Sequence, residues 1–309
     1  MPQTKLLTVQ DVADLLKIKK NTVYELIKRG ELPSTKVGKQ IRISDMDVEK
    51  YLSIPNPDVV EPKGPVRMAE PPVYISDKVI LCGQDIILDS IANHVNAAIG
   101  FQNILRSHAG SCNSLYSLYL GQAQIATAHL WDEKTKEYNY PYIQRLIPGT
   151  AVTIARLFGR KQGYYVIKGN PLGISGWADL KRHGLAICNR EKGSGTRVLL
   201  DEKLKAMNIS RKLISGYERE YPSHLSVAGA VARSEGDFGL GSEHGCQQVA
   251  NVEFLPLHNE WYDLVFPTEF EKTRPYCDIL GYVCSQAFLN ELKGIGGYDI
   301  SQTGKLVRL

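Results

Sequence analysis

Residues 189–197 read Asn189-Arg190-Glu191-Lys192-Gly193-Ser194-Gly195-Thr196-Arg197 and connect an apolar run to a pattern of helical spacing. The apolar run covers residues 185–187, and the helical pattern begins at Val198, so the stretch is predicted to be a strand-to-helix turn. Its two glycines allow a tight turn, in which the N–H groups of the helix start converge with two hydroxyls and a guanidinium. Such a cradle suits an anion.

An ordinary tight turn with a Ser or Thr helix cap is the competing interpretation of this stretch. The position of Arg197 favours an anion site, because a cation in the first helical turn opposes the helix dipole and does not serve helix stability. The stretch also lacks the Gly-Lys-Ser/Thr of a nucleotide-binding P-loop. A plain oxyanion or a small acidic ligand is therefore favoured over a triphosphate.

The composition is that of a soluble protein with more than one domain. The chain has 309 residues, of which 43% are hydrophobic, and this is enough to bury a core. It contains no apolar run long enough to span a bilayer and no signal-peptide core, so we expect a cytoplasmic protein that does not contact a membrane. The six cysteines include no Cys-x-x-Cys pair, and neither a metal site nor a cofactor is predicted.

Positive charge is concentrated near the amino end. Residues 17–42 contain eight Lys or Arg and two Asp or Glu, which is the footprint expected of a nucleic-acid-binding module, although a solvated basic face would look the same. Two short helical patterns flank a tight turn in this region, beginning at a capping-box-like motif over residues 8–11 and ending at Gly30. Alternating residues 35–43 predict a hairpin, and a third helix is predicted from Ser44.

The amino-terminal module resembles the excisionase-type, MerR-like winged helix-turn-helix. The resemblance covers residues 7–52 and is carried by residues 29–33, Arg-Gly-Glu-Leu-Pro, and by the hairpin. It implies that the second helix enters the major groove of double-stranded DNA and that the wing contacts the DNA backbone. We expect a homodimer or a higher homo-oligomer, because helix-turn-helix factors commonly read two half-sites. The residues expected to contact DNA are Lys20, Asn21, Thr22, Tyr24 and Lys28 on the second helix and Lys39, Gln40 and Arg42 on the wing. We assign residues 1–54 to this domain.

A proline-rich stretch separates this module from the rest of the chain. Apolar periodicity is almost absent there, and the prolines are Pro55, Pro57, Pro62, Pro65, Pro71 and Pro72. We predict a semi-rigid linker over residues 55–75.

Residues 76–309 alternate apolar strands with helical patterns in two successive sets, which predicts two α/β lobes with parallel strands and a tail that returns to the first lobe. Ligands of such sheets lie beyond the carboxyl ends of the strands, at helix starts. Asp85 is the only acid that we place beside this cleft, and its position lets it cap a helix instead of facing the ligand. The predicted ligand contacts are Gln84, Asp85, Ser111, Thr127, His129, Ser194, Gly195, Thr196, Arg197 and Tyr262.

Residues 78–309 resemble the periplasmic-binding-protein-like domain that occurs in the cytoplasm beside a helix-turn-helix or fused to molybdenum-cofactor enzymes. The matching segments include residues 129–132, His-Leu-Trp-Asp, residues 160–163, Arg-Lys-Gln-Gly, and residues 189–197. The resemblance implies the bilobed type II fold of binding proteins for molybdate and related oxyanions. It therefore implies a ligand of the molybdate or tungstate class, or one related to the molybdenum cofactor.

Together these patterns predict a transcriptional regulator that binds DNA with one domain and a small anion with the other. An enzyme is the second hypothesis, because His129 with Asp132, or Ser194 with a distant histidine, could be imagined as catalytic. No Gly-x-Ser-x-Gly motif or metal-spaced histidine pair supports it, so no catalytic residue is predicted. A recombination accessory factor is the third hypothesis, since excisionase-like modules also bend phage DNA, but the large ligand domain argues against it.

Overall fold

The computed structural model describes residues 6–38, 40–52, 78–99 and 104–309. It divides into two compact units, Met1–Met68 and Ala69–Leu309. The amino-terminal unit contains an antiparallel sheet in the order β1-β3-β2 and three helices. Its elements are β1 (Leu6–Thr8), α1 (Val9–Leu16), α2 (Lys20–Lys28), β2 (Thr35–Val37), β3 (Gln40–Ser44) and α3 (Asp45–Leu52).

Local chemistry sets the bounds of these elements. Thr8 Oγ1 accepts the N–H of Asp11 at 3.1 Å, and the Asp11 carboxylate accepts the N–H of Thr8 at 2.8 Å, so the predicted capping box is confirmed. Gly30 follows α2 with a φ of +75°, a conformation that favours glycine. The predicted hairpin forms between β2 and β3. The buried core consists of Val9, Val12, Ala13, Val23, Leu26, Leu32, Ile43 and Val48.

The carboxy-terminal unit begins with a lobe of parallel strands in the order β6-β4-β5. A short hairpin and a helix follow its third strand. The elements are β4 (Val79–Cys82), α4 (Ile87–Ile99), β5 (Ile104–Ser107), α5 (Ser111–Tyr119), β6 (Ile125–Ala128), β7 (Trp131–Asp132), β8 (Glu137–Tyr138) and α6 (Tyr140–Leu146).

A long strand then leads into the second lobe, whose parallel strands lie in the order β11-β10-β12. A second long strand leads back, and the carboxy-terminal elements pack on the first lobe, as predicted. The elements are β9 (Val152–Ile167), β10 (Ile187–Arg190), α7 (Gly195–Ala206), β11 (Glu220–Tyr221), α8 (His224–Ala232), β12 (Phe238–Ser242), β13 (Val252–Pro267), α9 (Tyr276–Val283), α10 (Gln286–Ile295), β14 (Tyr298–Asp299) and β15 (Leu306–Arg308).

Strands β9 and β13 pair antiparallel along their whole length and connect the two lobes. Short apolar runs at residues 152–154 and 164–167, and at residues 253–257 and 262–266, predict two short strands in place of each, with charged residues at or between the runs. In the structure these charges face each other across the ladder, where Arg160 is paired with Glu260 and Arg156 with Asp263. The strands continue through the charged positions because each buried charge has a partner.

One predicted turn is a strand. Residues 239–241, Gly-Leu-Gly, are small residues whose sequence predicts a turn after a strand, but they lie in the middle of β12. Glycine is required there by packing, since a Cβ on Gly239 would lie 2.3 Å from the Val227 side chain, and one on Gly241 would lie 2.3 Å from the Tyr165 hydroxyl. Within the described ranges, no helix is long and apolar enough to cross a membrane.

Candidate functional site

The two lobes meet where the quoted turn approaches the start of α5. The N–H of Cys112 donates to the carbonyl of Gly193 at 2.9 Å, which joins the lobes through their backbones. A Cβ on Gly110 would lie 2.9 Å from the same carbonyl oxygen. The structure is therefore a closed form in which glycine permits direct contact between the lobes.

Helix α7 begins in this contact. Ser194 is its N-cap, with Oγ accepting the N–H of Arg197 at 3.3 Å and donating to the Glu191 carbonyl at 2.9 Å. The next two N–H groups, of Gly195 and Thr196, have no acceptor within the helix. A Cβ on Gly195 would lie 2.4 Å from Nδ1 of His129 in the other lobe. The imidazole of His129 therefore lies directly against the positive end of α7.

A buried ionic cluster lies beneath this contact, on the face of β9 and β13 that points into the cleft between the lobes. Arg160 donates through Nε to Glu260 and through Nη1 to Oδ2 of Asp85, the latter at 2.5 Å. Gln162 donates to the same Glu260 oxygen at 2.8 Å. Burial would raise the pKa of Glu260, but the charges of Arg160 and His129 lower it to about 2. Glu260 is therefore ionised at neutral pH.

His129 extends this cluster to the first lobe. Its Nδ1 lies 3.0 Å from Oε2 of Glu260, its backbone N–H donates to Ser111 Oγ at 3.1 Å, and its ring stacks on Tyr262. The Tyr262 hydroxyl lies 3.0 Å from Thr127 Oγ1. These contacts hold the imidazole in one orientation.

Arg190, the last residue of β10, connects the cleft to the first lobe. Its Nη2 donates to Gln84 Oε1 at 2.7 Å, and the guanidinium also pairs with the neighbouring Glu191. Close by, the pKa of His224 at the start of α8 is held well below its ordinary value by burial and by the charges of Arg190, Arg160 and His129. A neutral His224 and two arginines therefore border the cleft.

Nine of the ten predicted ligand contacts lie at this cleft. Asp85 also caps α4, as the sequence indicates, since Oδ1 accepts the N–H of Ile87 at 2.9 Å. The expectation that Asp85 is the only acid beside the cleft is wrong, because Glu260 and Glu191 also border it. The nine residues are Gln84, Asp85, Ser111, Thr127, His129, Ser194, Gly195, Thr196 and Tyr262.

The structure does not bring Arg197 into this set. Its guanidinium stacks on the Tyr217 ring at 4.0 Å and donates to the Arg190 carbonyl at 2.9 Å. Asp201, one turn along α7, lies 3.6 Å from its Nε. The guanidinium is buried inside the second lobe, where its Nε and Nη2 make no hydrogen bond within the described part of the chain, so Arg197 does not line the cleft.

Sequence reasoning missed six cleft residues, namely Arg160, Gln162, Arg190, Glu191, His224 and Glu260. A signal for two of them was available, since Arg160 and Gln162 are polar residues two positions apart between the apolar runs at residues 152–154 and 164–167. Alternate residues of a strand share one face, so two polar residues at this spacing indicate a polar face within a buried strand. Nothing in the sequence indicated that Glu260 would lie opposite Arg160.

In the amino-terminal unit, the five residues predicted on the second helix are all exposed on α2. On the hairpin, Gln40 and Arg42 lie side by side, with Arg42 Nη2 donating to Gln40 Oε1 at 2.5 Å. Lys39 lies outside the described residues. The exposed set on α2 is Lys20, Asn21, Thr22, Tyr24 and Lys28.

Comparisons with known proteins agree with this architecture. Residues 92–283 match the model of the PBP superfamily domain, and residues 6–53 match that of a helix-turn-helix domain. The uncharacterized protein YvgK of Bacillus subtilis is 38% identical over 311 residues, with 99% of each chain covered.

Two solved structures share the fold of the carboxy-terminal unit. A candidate phosphate ABC transporter substrate-binding protein with bound phosphate, from Clostridium perfringens, superposes with a TM-score of 0.54 at 13% identity, covering 72% of this chain and 98% of that one. The regulatory domain of CcmR from Synechocystis PCC6803, in complex with 2-PG, gives a TM-score of 0.51 at 12% identity, covering 66% and 94%. At these identities the likeness concerns the fold.

Proposed function

The chain belongs to the PBP superfamily domain family and carries a helix-turn-helix domain at its amino end, and from this premise we propose that it is a ligand-responsive DNA-binding transcriptional regulator. One observation carries the proposal. The chain that holds an exposed basic helix of helix-turn-helix type also holds a closed two-lobed cleft with arginines and a helix start at its centre. The first element suits double-stranded DNA and the second a small anion.

We propose that the ligand is a small oxyanion of the molybdate or tungstate class. The carboxylates at the cleft are already engaged, because both oxygens of Asp85, Glu260 and Glu191 accept hydrogen bonds. Two guanidinium nitrogens, Arg160 Nη2 and Arg190 Nη1, donate no hydrogen bond within the described part of the chain. The side-chain groups at the cleft that can still form hydrogen bonds are therefore donors. This fits a ligand that offers only acceptors.

Ligand binding would act on DNA binding through closure of the lobes. The contacts that close the cleft, Cys112 with Gly193 and Gln84 with Arg190, join residues of different lobes. An anion held between the arginines and the start of α7 stabilises these contacts and shifts the population toward the closed form. We propose that the closed and open forms differ in operator affinity and that the regulator acts as a homodimer, without enzymatic activity.

Thermal unfolding with a panel of oxyanions tests the ligand. We expect molybdate or tungstate to raise the melting temperature of the full chain, because a ligand that binds only the native state stabilises it by mass action. Ser194→Ala should lose most of this shift, since the cap orients the N–H groups at the start of α7.

Ser285→Ala is the matched control, because Ser285 caps α10 in the same way, with Oγ accepting the N–H of Phe288 at 3.2 Å. Each variant should lose about 1 kcal/mol of stability from the missing cap. Only the Ser194 variant should lose the ligand shift. An equal loss in both variants, or no shift with any oxyanion, would contradict the proposed ligand and direct the search to a larger organic anion.

Electrophoretic mobility shift with DNA from upstream of the protein's own gene tests the regulator. We expect the full chain to bind a specific segment, and the ligand found in the thermal assay to change the affinity. Binding that depends neither on the DNA sequence nor on the ligand would exclude a ligand-responsive regulator. It would favour the recombination accessory factor instead.

A further inference from the structure

The β7–β8 hairpin is fixed to the first lobe. The Asp132 carboxylate accepts the N–H of Lys134 at 3.0 Å, which closes the turn of the hairpin. Arg145 on α6 donates to the same carboxylate at 2.9 Å. Asn139, directly after β8, donates to the buried carboxylate of Asp263 at 2.7 Å. The hairpin therefore moves together with the first lobe.

The same hairpin contacts α7 of the second lobe. Lys203 Nζ lies 2.7 Å from Oε2 of Glu133, and both side chains are only 16% exposed. The backbone N–H of Glu133 donates to Oε2 of Glu202 at 3.1 Å. The ammonium of Lys203 also lies 5.5 Å from the ring centre of Trp131 and 5.8 Å from that of Trp177. An ion pair, a backbone hydrogen bond and two cation–π contacts therefore join the lobes at one point.

Apolar packing crosses the lobe boundary at the same place, in both directions. Trp131 packs against the buried cluster of the second lobe that includes Tyr164, and its indole N–H donates to Glu133 at 2.5 Å. Val198 of α7 packs against the cluster of the first lobe that includes Leu130. Burial of apolar surface therefore adds to the polar contacts. All of these contacts join groups of the protein itself, so closure at this point does not require a ligand.

Helix α7 connects this contact to the ligand site. Its first residue, Gly195, lies against His129, and Lys203 follows about two helical turns later. The partners of α7 at these two points, His129 and Glu133, both belong to the segment that follows β6 in the first lobe. The contact at Lys203 therefore fixes the position of the start of α7 in the cleft.

We propose that the β7–β8 hairpin is a latch that closes on α7 without a ligand and so holds the start of this helix in the ligand site. Its positioning residues are Trp131, Glu133 and Lys203. The latch is a property of the ligand-free protein, whereas its effect on ligand affinity rests on the proposed function. A latched site binds its ligand more tightly, because the apparent affinity scales with the fraction of molecules that are already in the binding-competent form.

Hydrogen exchange of the ligand-free full chain, resolved by amide, measures the latch. The Glu133 amide bonds across the lobe boundary. The amides of Lys134 and Thr135 bond the Asp132 carboxylate within the hairpin. We expect slow exchange at all three in the unmodified chain. Lys203→Met should speed exchange of the Glu133 amide by about tenfold or more and leave the other two unchanged, because the lobes separate while the hairpin stays folded.

Lys203→Arg retains the positive charge and should retain slow exchange of the Glu133 amide. Lys205→Met is the matched control, because Lys205 lies on the same helix but is 80% exposed and lies 3.9 Å from Glu202. It should leave the exchange of all three amides unchanged. If Lys203→Met does not fold, Glu133→Gln removes the charge on the other side of the ion pair and should give the same selective increase.

Titration calorimetry with molybdate measures the positioning role. We expect Lys203→Met to bind molybdate about tenfold more weakly than the unmodified chain, because fewer molecules are closed before binding. Lys203→Arg and Lys205→Met should bind molybdate as tightly as the unmodified chain.

Fast exchange of the Glu133 amide in the unmodified ligand-free chain would overturn the latch, as would slow exchange in Lys203→Met. An equal increase at all three amides would overturn it too, because it would mean that the hairpin unfolds. Unchanged molybdate affinity in a variant whose Glu133 amide exchanges faster would overturn the positioning role. Absence of molybdate and tungstate binding to the unmodified chain would instead contradict the proposed ligand, and hydrogen exchange would still decide whether the latch exists.

Discussion

Two arginines seven positions apart, Arg190 at the end of β10 and Arg197 in the first turn of α7, flank the same strand-to-helix turn but contact different parts of the molecule. Arg190 reaches across the cleft to Gln84, whereas Arg197 is buried on Tyr217 inside the second lobe. A cation in the first turn of a helix predicted a ligand contact for Arg197. The structure instead points to Arg190, because the direction of each side chain decides which charge faces the cleft.

Exchanging these arginines separately should therefore have different effects on ligand binding. Arg190→Gln should weaken molybdate or tungstate binding by about tenfold or more, because it removes a charge-assisted hydrogen bond, and it should also lower the melting temperature of the free protein, because Arg190 is buried and paired with Glu191. Arg197→Gln should lower the free energy of unfolding by about 2 kcal/mol and leave the ligand-induced shift intact. Thermal and chemical unfolding with and without the ligand measure both effects. Loss of the ligand-induced shift in Arg197→Gln, with the shift kept in Arg190→Gln, would mean that Arg197 and not Arg190 contacts the ligand.

Helix α2 and the β2–β3 hairpin form the surface that we propose to contact DNA. The apolar face of α2 is used by the core, through Val23 and Leu26, so its polar residues are exposed. Positive charge on this face supplies affinity through phosphate contacts, whereas the shorter polar side chains can read base edges.

We predict that substitutions on the α2 and hairpin surface have two distinct effects on operator binding. Arg42→Ala should weaken binding to every DNA sequence and reduce the slope of log affinity against log salt by about one unit. Asn21→Ala should instead reduce discrimination against a mismatched operator by about 1–3 kcal/mol. Lys181→Ala, an exposed lysine of the other unit, is the control for lost charge and should change neither quantity. Mobility-shift titrations at several salt concentrations test this, and equal behaviour of all three variants would contradict the assignment.

Closure is a property of the whole carboxy-terminal unit. The lobes approach so closely that backbone and imidazole occupy the space where a Cβ of Gly195 or Gly110 would lie. Glycine is needed at position 195 only in the closed form, because the atoms it must avoid belong to the other lobe.

Gly195→Ala should therefore hold the lobes apart. We expect at least about tenfold weaker ligand binding and loss of the ligand effect on DNA affinity. The free protein should also be less stable, because in the closed form the ring and the carbonyl oxygen of His129 lie within 2.5 Å of the would-be Cβ. Gly281→Ala is the matched control, because it also lies in a helix but has nothing within 4 Å of its would-be Cβ. Calorimetry measures the affinities, and unchanged binding in Gly195→Ala would mean that the ligand does not require this closure.

The carboxy-terminal unit should also lose stability in mild acid. The pKa of His258 is lowered to about 4 by burial and by the charge of Lys203, and His224 is lowered as well. Unfolded histidines have pKa values near 6.5, so the stabilising effect of both groups is fully present above that pH and is lost as the pH falls toward their folded pKa values, which for His258 is about 4. We expect His258 to account for a loss of about 1–2 kcal/mol. His258→Gln should remove its part of the pH dependence and His183→Gln should not, as measured by urea unfolding between about pH 7 and 4.

The fold class could be predicted from the sequence because local patterns determine it. The capping box at Thr8, the glycine after α2 and the alternation of apolar strands with helical patterns act over a few residues, and the helix-turn-helix and the two α/β lobes are confirmed. The composition of the cleft was decided by the tertiary structure. Glu260 lies 100 positions from Arg160, and only the antiparallel register of β13 on β9 places the two charges together. Side-chain direction likewise placed Arg190 in the cleft and Arg197 outside it. Both depend on contacts between distant parts of the chain, which local propensity does not encode.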